Sequence, residues 1–538
     1  MLKKGLLSCL VGFFVLWFPI VCLGDVDYGV NPLAASLADD VLKAVQYNHH
    51  SQSGIGSNVG LNLGDGNIVL SGRGVDVNGT FRIGSQSKTF VGTAILSMMD
   101  KGWFALDDTL GELQARYNVD LGVAALPQGA ESITVRRLLN MSSEIPNFMA
   151  GTRAGSSMTL WDEWKNVAYG EVVGVTHEEL AALGLNLYPQ APVPPYEGSY
   201  SNTNAIILSL LGQAAYAERI GNAKSFAAIL REMVFQPAGL SGTYLAGDAA
   251  PVSITGLESG KAITTMDPVI PWTSGAIVST LRDQLNWIDV LQNNTYHLMS
   301  DELFQARTDL ANSTLISMGG IPIYYGYNIF TMDFAGGFAD FGVPLTAIGH
   351  GGSIAGYSSF SIWYQQLDLG LVVNVPRLSS IDRYGHFSAT PSETLLMDQV
   401  RGLERLYRAD GAVTASGVDT TISYGQNGGL FTLSPLALGE GQNLAIQASG
   451  RSTSYLDLFF LDVTGNPVVT TTDPTLTFYA AENTSGQAAV TLNGAAAKVD
   501  MGARAEAYGN RVAVFDVGAG GGLDLQGEAA AYGNEAAA

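Results

Sequence analysis

The chain runs to 538 residues with 49 acidic against 27 basic side chains, a formal net charge of −22 that argues against nucleic acid or anionic lipid as a partner. An apolar fraction of 47% with 14% charged residues is ample for large buried cores, and the length fits two domains. Two cysteines and six histidines, none in a metal-ligand spacing, lead us to expect neither a disulfide framework nor a metal or other cofactor.

The chain opens with Met1-Leu2-Lys3-Lys4 and an apolar run from Gly5 to Gly24, the pattern of a secretory signal peptide over residues 1–24. Cleavage after Gly24 is expected; an uncleaved N-terminal anchor is the alternative, which Pro19 opposes. Either way the remainder is expected to be secreted or periplasmic, with no membrane contact beyond this segment. Both cysteines, Cys9 and Cys22, lie in it, and its loss removes two lysines and no acid.

Pro32 to Tyr47 has helical spacing, and Val59 to Asn62 and Ile68 to Gly72 read as strands joined by the turn Gly64-Asp65-Gly66-Asn67. Thr89 to Ala105 carries apolar residues at helical spacing without proline, which places Ser85 and Lys88 on the first turn of a helix. A polar, helical middle follows, with further helices over Ile206 to Ala217 and Lys224 to Phe235. Leu345 to Ile348, Ser358 to Gln365 and Leu369 to Val375 read as strands, and Ser392 to Tyr407 as a helix. Strands at both ends with helices between predict an α+β domain over 25–408, an antiparallel sheet flanked by helices plus an all-helical cluster. Past Ala409 the composition shifts to Gly, Ala, Thr, Asn and Asp. Residues 409–517 read as a small β-rich module whose Leu456 to Asp462 run resembles the bacterial pre-peptidase C-terminal β-sandwich domains. Residues 518–538 are Gly- and Ala-rich, and Ala-Tyr-Gly-Asn occurs at Ala507 and again at Ala531; the composition suits a flexible tail.

Ser85 and Lys88 stand three residues apart, and residues so spaced share one helix face. A serine hydroxyl is a poor nucleophile at neutral pH, and an adjacent base contributes about 10²- to 10⁴-fold. No other lysine of the chain has a serine three residues before it. A bland reading stands beside this one: Ser85 as a helix cap and Lys88 as a solvated charge. Three later stretches bear on the choice: Leu138-Leu139-Asn140-Met141-Ser142-Ser143-Glu144-Ile145-Pro146, then Tyr200-Ser201-Asn202, then Gly349-His350-Gly351-Gly352-Ser353. Alone, the second could be another cap and the third a glycine turn.

In this order the four motifs resemble the beta-lactamase-related serine hydrolases, which include class C beta-lactamases, D-Ala-D-Ala carboxypeptidases, D-aminopeptidases and esterases of one fold. The resemblance covers about residues 31–408 and nothing beyond. It implies an acyl-enzyme on Ser85, Lys88 taking its proton, Tyr200 as partner base and acid, and Asn202 holding Lys88 and the substrate amide. It also puts His350 and Gly352 on the strand beside the substrate, with the N–H groups of Ser85 and Ser353 as oxyanion hole. Many relatives carry Lys-Thr-Gly on that strand, where the ammonium binds a substrate carboxylate. His350 stands there instead, a weaker and pH-dependent hold, which shifts the expectation toward substrates without a carboxylate. The implied partner is a small molecule or peptide, cell-wall peptide included. A non-catalytic binding or scaffold protein of the same fold is the rival; His177-Glu178-Glu179 lacks the second histidine of a zinc helix.

Overall fold

The computed structural model describes residues 54–378 apart from 65–66, 189–199, 248–251, 259–260, 264, 319–320, 334–345 and 366–367. It also describes Leu42, Gln46, Leu395 and Gln399 in the flanking helices, the pair Cys22–Leu23, and the backbone of short strands between 411 and 537. Other residues of the predicted helices Pro32 to Tyr47 and Ser392 to Tyr407, the signal segment apart from Cys22–Leu23, and the pair His49-His50 lie outside the described residues.

Eight strands form the main sheet: β1 (Ser57–Asn62), β2 (Ile68–Arg73), β3 (Thr314–Met318), β4 (Ile321–Tyr325), β5 (Phe330–Asp333), β6 (Thr346–Ile354), β7 (Tyr357–Tyr364) and β8 (Leu369–Val375). Their spatial order is β2-β1-β8-β7-β6-β5-β4-β3, and every neighbouring pair is antiparallel. The N-terminal hairpin thus joins the last strand, with Leu61 opposite Leu371 and Val59 opposite Val373. Strands β1, β7 and β8 are buried at every residue, because the sheet is covered on both faces. Val59, Leu61, Leu371 and Val373 feed one core together with Leu42 and Leu395, while Val372 and Trp363 feed the larger core under the helices. This is the period-two alternation of a strand.

The helices α1 (Ser87–Asp100) and α2 (Asn202–Ile220), the single turn α3 (Trp272–Gly275) and α4 (Leu281–Asn293) build the helical side. α4 lies on the sheet: Asn62 Nδ2 donates to Leu285 O, and a Cβ at Gly60 would meet Leu285 at 2.6 Å. α1 packs against α2 and α3, and Phe90 of α1 stacks on Trp287 of α4 with ring centroids 4.2 Å apart. Buried aromatic pairs of this kind add about 0.5–1.5 kcal/mol beyond their area. The architecture is the α+β class expected, with β6 longer than the predicted Leu345 to Ile348 and the Lys224 to Phe235 helix divided into Phe226–Leu230 and a wider turn at Arg231–Phe235.

The C-terminal strands depart from the sandwich expectation. After the antiparallel pair Gly411–Ser416 with Asp419–Tyr424, they pair in parallel, as in Gly429–Thr432 with Leu456–Phe460, then Leu476–Ala480, Ala505–Tyr508 and Ala529–Tyr532. The tail read as flexible from its composition takes part. The two copies of the Ala-Tyr-Gly-Asn repeat stack in register, Ala507 opposite Ala531 and Tyr508 opposite Tyr532, as stacked repeats do when each unit pairs with its neighbour.

Candidate active site

Ser85 lies in the 3-10 turn Gly84–Gln86 that leads into α1, one turn earlier than the apolar spacing predicts, while Lys88 is the second residue of the helix. The cause is backbone crowding. Gly84 has φ +55°, and a Cβ there would come within 2.7 Å of the Ser353 nitrogen; a Cβ at Gly352 would meet Ile83 O at 1.9 Å. Only glycines let β6 press its backbone onto the Ser85 turn. Gly352→Ala is therefore expected to separate the two, costing about 1–3 kcal/mol of stability and most of the turnover; melting curves with unchanged activity would show that the contact can be relaxed.

Gln86 fastens the same turn to β7. Its Nε2 donates to Ser359 Oγ at 2.6 Å, its Oε1 accepts from Ser361 Oγ at 2.6 Å, and Ser359 Oγ donates to Ile83 O at 3.0 Å. Ser85 itself is only half-buried, so its hydroxyl is open to a ligand. It is not a helix cap: the N-cap of α1 is Gln86 and carries no side-chain capping bond.

Lys88 is 0% exposed. Its Nζ stands 3.1 Å from Ser85 Oγ, 2.7 Å from Asn202 Oδ1 and 2.8 Å from Ser274 O. Asn202 opens α2, and Ser274 belongs to α3, where the last carbonyls of a single turn have no helical partner of their own. Desolvation drives the Lys88 ammonium well below the ordinary lysine value.

Tyr200 precedes α2. Ser201 is the N-cap residue, yet its side chain makes no capping bond, so the motif is more than a cap. The second motif anchors this corner: Ser143 Oγ donates to Asn204 Oδ1, Asn204 Nδ2 to Leu138 O, and Thr203 Oγ1 to Pro146 O. The Tyr200 ring is part-exposed, with Lys88 Nζ 4.9 Å from its centroid, while its buried hydroxyl lies beside the Ser85 hydroxyl, outside ordinary hydrogen-bond geometry. Burial raises its pKa above the ordinary phenol value, opposed by the neighbouring Ser85 hydroxyl.

His350 differs from the expectation that it faces substrate. It is 1% exposed and stacks on Phe330 at 4.0 Å, with Nδ1 at Gly351 O and Nε2 3.1 Å from the Tyr325 hydroxyl. The ring turns inward because Phe330 and Tyr325 offer an aromatic slot on β5 and β4. Desolvation, then Lys88, lower its pKa to about 3 against the Gly351 bond, so the ring is neutral at pH 7. Beyond it, Ser353 is exposed beside Gly84. The structure thus gathers Ser85, Lys88, Tyr200, Asn202, Gly352 and Ser353, and holds His350 behind Tyr200 with ring centroids 6.4 Å apart. Ser274, Gln86 and Tyr325 escaped the sequence reading: the first contributes only a backbone carbonyl, the second is a spacer between Ser85 and Lys88, and the third sits in no motif. Among the described residues no group of three His, Cys, Asp or Glu could hold a metal, and no helix is long and apolar enough to cross a membrane.

The family described as Beta-lactamase matches residues 52–385. Penicillin-binding protein 4* of Bacillus subtilis (strain 168) is 27% identical over 172 residues, 32% of either chain, so the aligned stretch spans about a third of that relative. The D-amino acid amidase of Ochrobactrum anthropi SV3 superposes with a TM-score of 0.54 at 18% identity, covering 68% of this chain and 98% of the amidase. The D-stereospecific amidohydrolase from Streptomyces sp. gives 0.50 at 20% identity, with coverages of 64% and 94%. The octameric penicillin-binding protein homologue from Pyrococcus abyssi gives 0.52 at 18% identity, with coverages of 70% and 86%. At such identities these structures speak to the fold, which is the same α+β arrangement. Because the family match runs from before β1 to beyond β8 and takes in each element around Ser85, the chain belongs to the Beta-lactamase family of serine hydrolases.

Proposed function

We propose that the protein cleaves an amide or ester bond through an acyl-enzyme on Ser85, acting on substrates that present no free carboxylate to the strand β6. The observation that carries this is the surroundings of Lys88 Nζ. A neutral amine has two N–H bonds and one lone pair, and the oxygens of Asn202 and Ser274 can only accept. In that form they claim both N–H bonds, so the 3.1 Å contact in which the ammonium would donate to Ser85 Oγ becomes one in which the Ser85 hydroxyl donates to the lone pair. Desolvation favours this neutral form.

The steps follow from that geometry. As Ser85 Oγ bonds to the substrate carbonyl carbon, its proton passes to Lys88 Nζ and the carbonyl electrons move to oxygen. The N–H groups of Ser85 and Ser353, brought together across Gly84, receive that oxyanion. Collapse breaks the bond to the leaving group, which takes a proton from Lys88 directly or through Tyr200, a phenol that burial keeps protonated. Water then repeats the sequence and frees Ser85. The lysine is the base and the tyrosine the acid, a division the two opposite shifts support.

His350 supports the substrate class. Both of its nitrogens are occupied inside the protein and it is uncharged, so it offers no cationic grip where relatives carry a lysine. D-amino acid amides and short-chain esters fit this better than peptides ending in a carboxylate, and the amidases of the same fold lend the amide reading weight. The leader-like residues 1–24 support action outside the cytoplasm, where cell-wall peptide is a candidate source. In a matched test on the purified protein, a D-amino acid amide or nitrophenyl ester is expected to be turned over with higher kcat/KM than a D-Ala-D-Ala peptide. The reverse preference would overturn the substrate class, and no serine-dependent turnover of any of them would favour the binding-protein reading.

A further inference from the structure

The Tyr200 hydroxyl lies near the Ser85 hydroxyl but outside ordinary hydrogen-bond geometry, so no polar anchor holds the angle of its ring. Ring packing does. The edge-to-face partner of Tyr200 is Tyr325 at the end of β4, with centroids 5.8 Å apart and planes at 76°. Tyr325 is in turn fixed at its own hydroxyl, 3.1 Å from His350 Nε2. At the far side of that imidazole, Nδ1 meets the carbonyl of Gly351, which can only accept; Nδ1 therefore carries the proton and Nε2 is bare. Tyr325 must donate to it. Phe330 closes the slot by stacking on the imidazole, and Tyr325 and His350 are both fully enclosed.

We infer that Tyr325 and His350 are a positioning pair: the single imidazole tautomer set by Gly351 O holds the Tyr325 hydroxyl, and the Tyr325 ring sets the angle at which Tyr200 meets Ser85. This rests on the reading of Tyr200 as the group that hands a proton to the leaving group. It gives His350 a part unlike substrate binding. The chain from Gly351 to Tyr200 has two hydrogen bonds and one ring contact, all inside the protein. Losing any link frees the phenol to rotate, and misplacement of a reacting group by about 1 Å costs on the order of 10²-fold.

The test uses the full chain and a nitrophenyl ester, with Tyr325→Phe, His350→Gln, His350→Asn and Ser85→Ala side by side. Tyr325→Phe is expected to lower kcat by about tenfold or more with KM within about twofold, because the ring stays but its anchor is gone. Gln at 350 reaches the position of Nε2 and can still accept from Tyr325; Asn reaches only the position of Nδ1. His350→Gln should therefore retain most of kcat, and His350→Asn should fall to the level of Tyr325→Phe. In the unaltered protein, nitrogen-15 NMR of the His350 ring should show a protonated Nδ1 and a bare Nε2, a readout that does not depend on any variant folding. Wild-type kcat in Tyr325→Phe, equal activity of the Gln and Asn variants, or a proton on Nε2 would each overturn the inference. Activity surviving in Ser85→Ala would instead overturn the hydrolase reading beneath it.

Discussion

Ser85→Ala is expected to abolish turnover, by a factor on the order of 10⁴ or more, while leaving the fold intact. The asymmetry follows from Lys88. Once the Ser85 hydroxyl is gone, the neutral amine still has an acceptor for each of its two N–H bonds in Asn202 Oδ1 and Ser274 O, so no buried donor is orphaned. Ser85 is half-buried, and removing its hydroxyl opens no core cavity. Stability should therefore move by less than about 1 kcal/mol. Wild-type protein mixed with a slowly released ester should gain the mass of one acyl group on the peptide holding Ser85, and the variant should gain none. An acylated variant would place the nucleophile elsewhere.

Lys88→Met is expected to separate activity from stability as well. Turnover should fall by about 10²- to 10⁴-fold, the range of a lost general base. Stability should fall far less, since the methionine fills a similar volume and needs no solvation, which offsets the loss of a donor by Asn202 Oδ1 and Ser274 O. The sharper evidence is pH. Lys88 holds its proton less readily folded than unfolded, where its value is 10.5. Between the lowered folded value and 10.5 the unfolded chain binds more protons, so stability rises with pH across that window, at most by about 1.4 kcal/mol per pH unit. The methionine variant lacks this contribution and should show a flatter rise in urea unfolding from pH 7 to 10. Tyr200, shifted upward, acts only above pH 10, where the unfolded phenol ionises first and stability falls with pH. Parallel slopes for wild type and variant would mean that Lys88 is not titrating inside the fold.

Much of this site could be read from side-chain patterns. The β1–β2 hairpin, the apolar run of α1, the three strands β6 to β8 and the four motifs all announce themselves through periodicity or unusual residues in order. What could not be read has one physical character: it depends on where distant backbones meet. Ser274 supplies a carbonyl, which every residue has. The 3-10 turn at Ser85 is set by β6 pressing on Gly84, a contact between residues far apart in the chain. His350 could be assigned to the strand but not to a direction, because the slot that receives it is made by Tyr325 and Phe330 on other strands. In the C-terminal region composition suggested slack chain, whereas repeats stacked in register find their partners in one another.

The pairing of the first hairpin with the last strand bears on how the protein comes into being. Gly370 and Asn62 are partners, so synthesis must pass residue 375 before the sheet can close around β1. Lys88 finds Ser274 186 residues later, and Gln86 finds Ser359 and Ser361 273 and 275 residues later. Such long closures make folding slow, because the entropy of drawing distant segments together must be lost before their contacts form. Helices such as α1 can form early from local contacts, yet the Ser85 turn has nothing to rest on until β6 and β7 arrive. Activity is thus expected only once β6 to β8 have docked, and its return after denaturation should time the closing of the sheet.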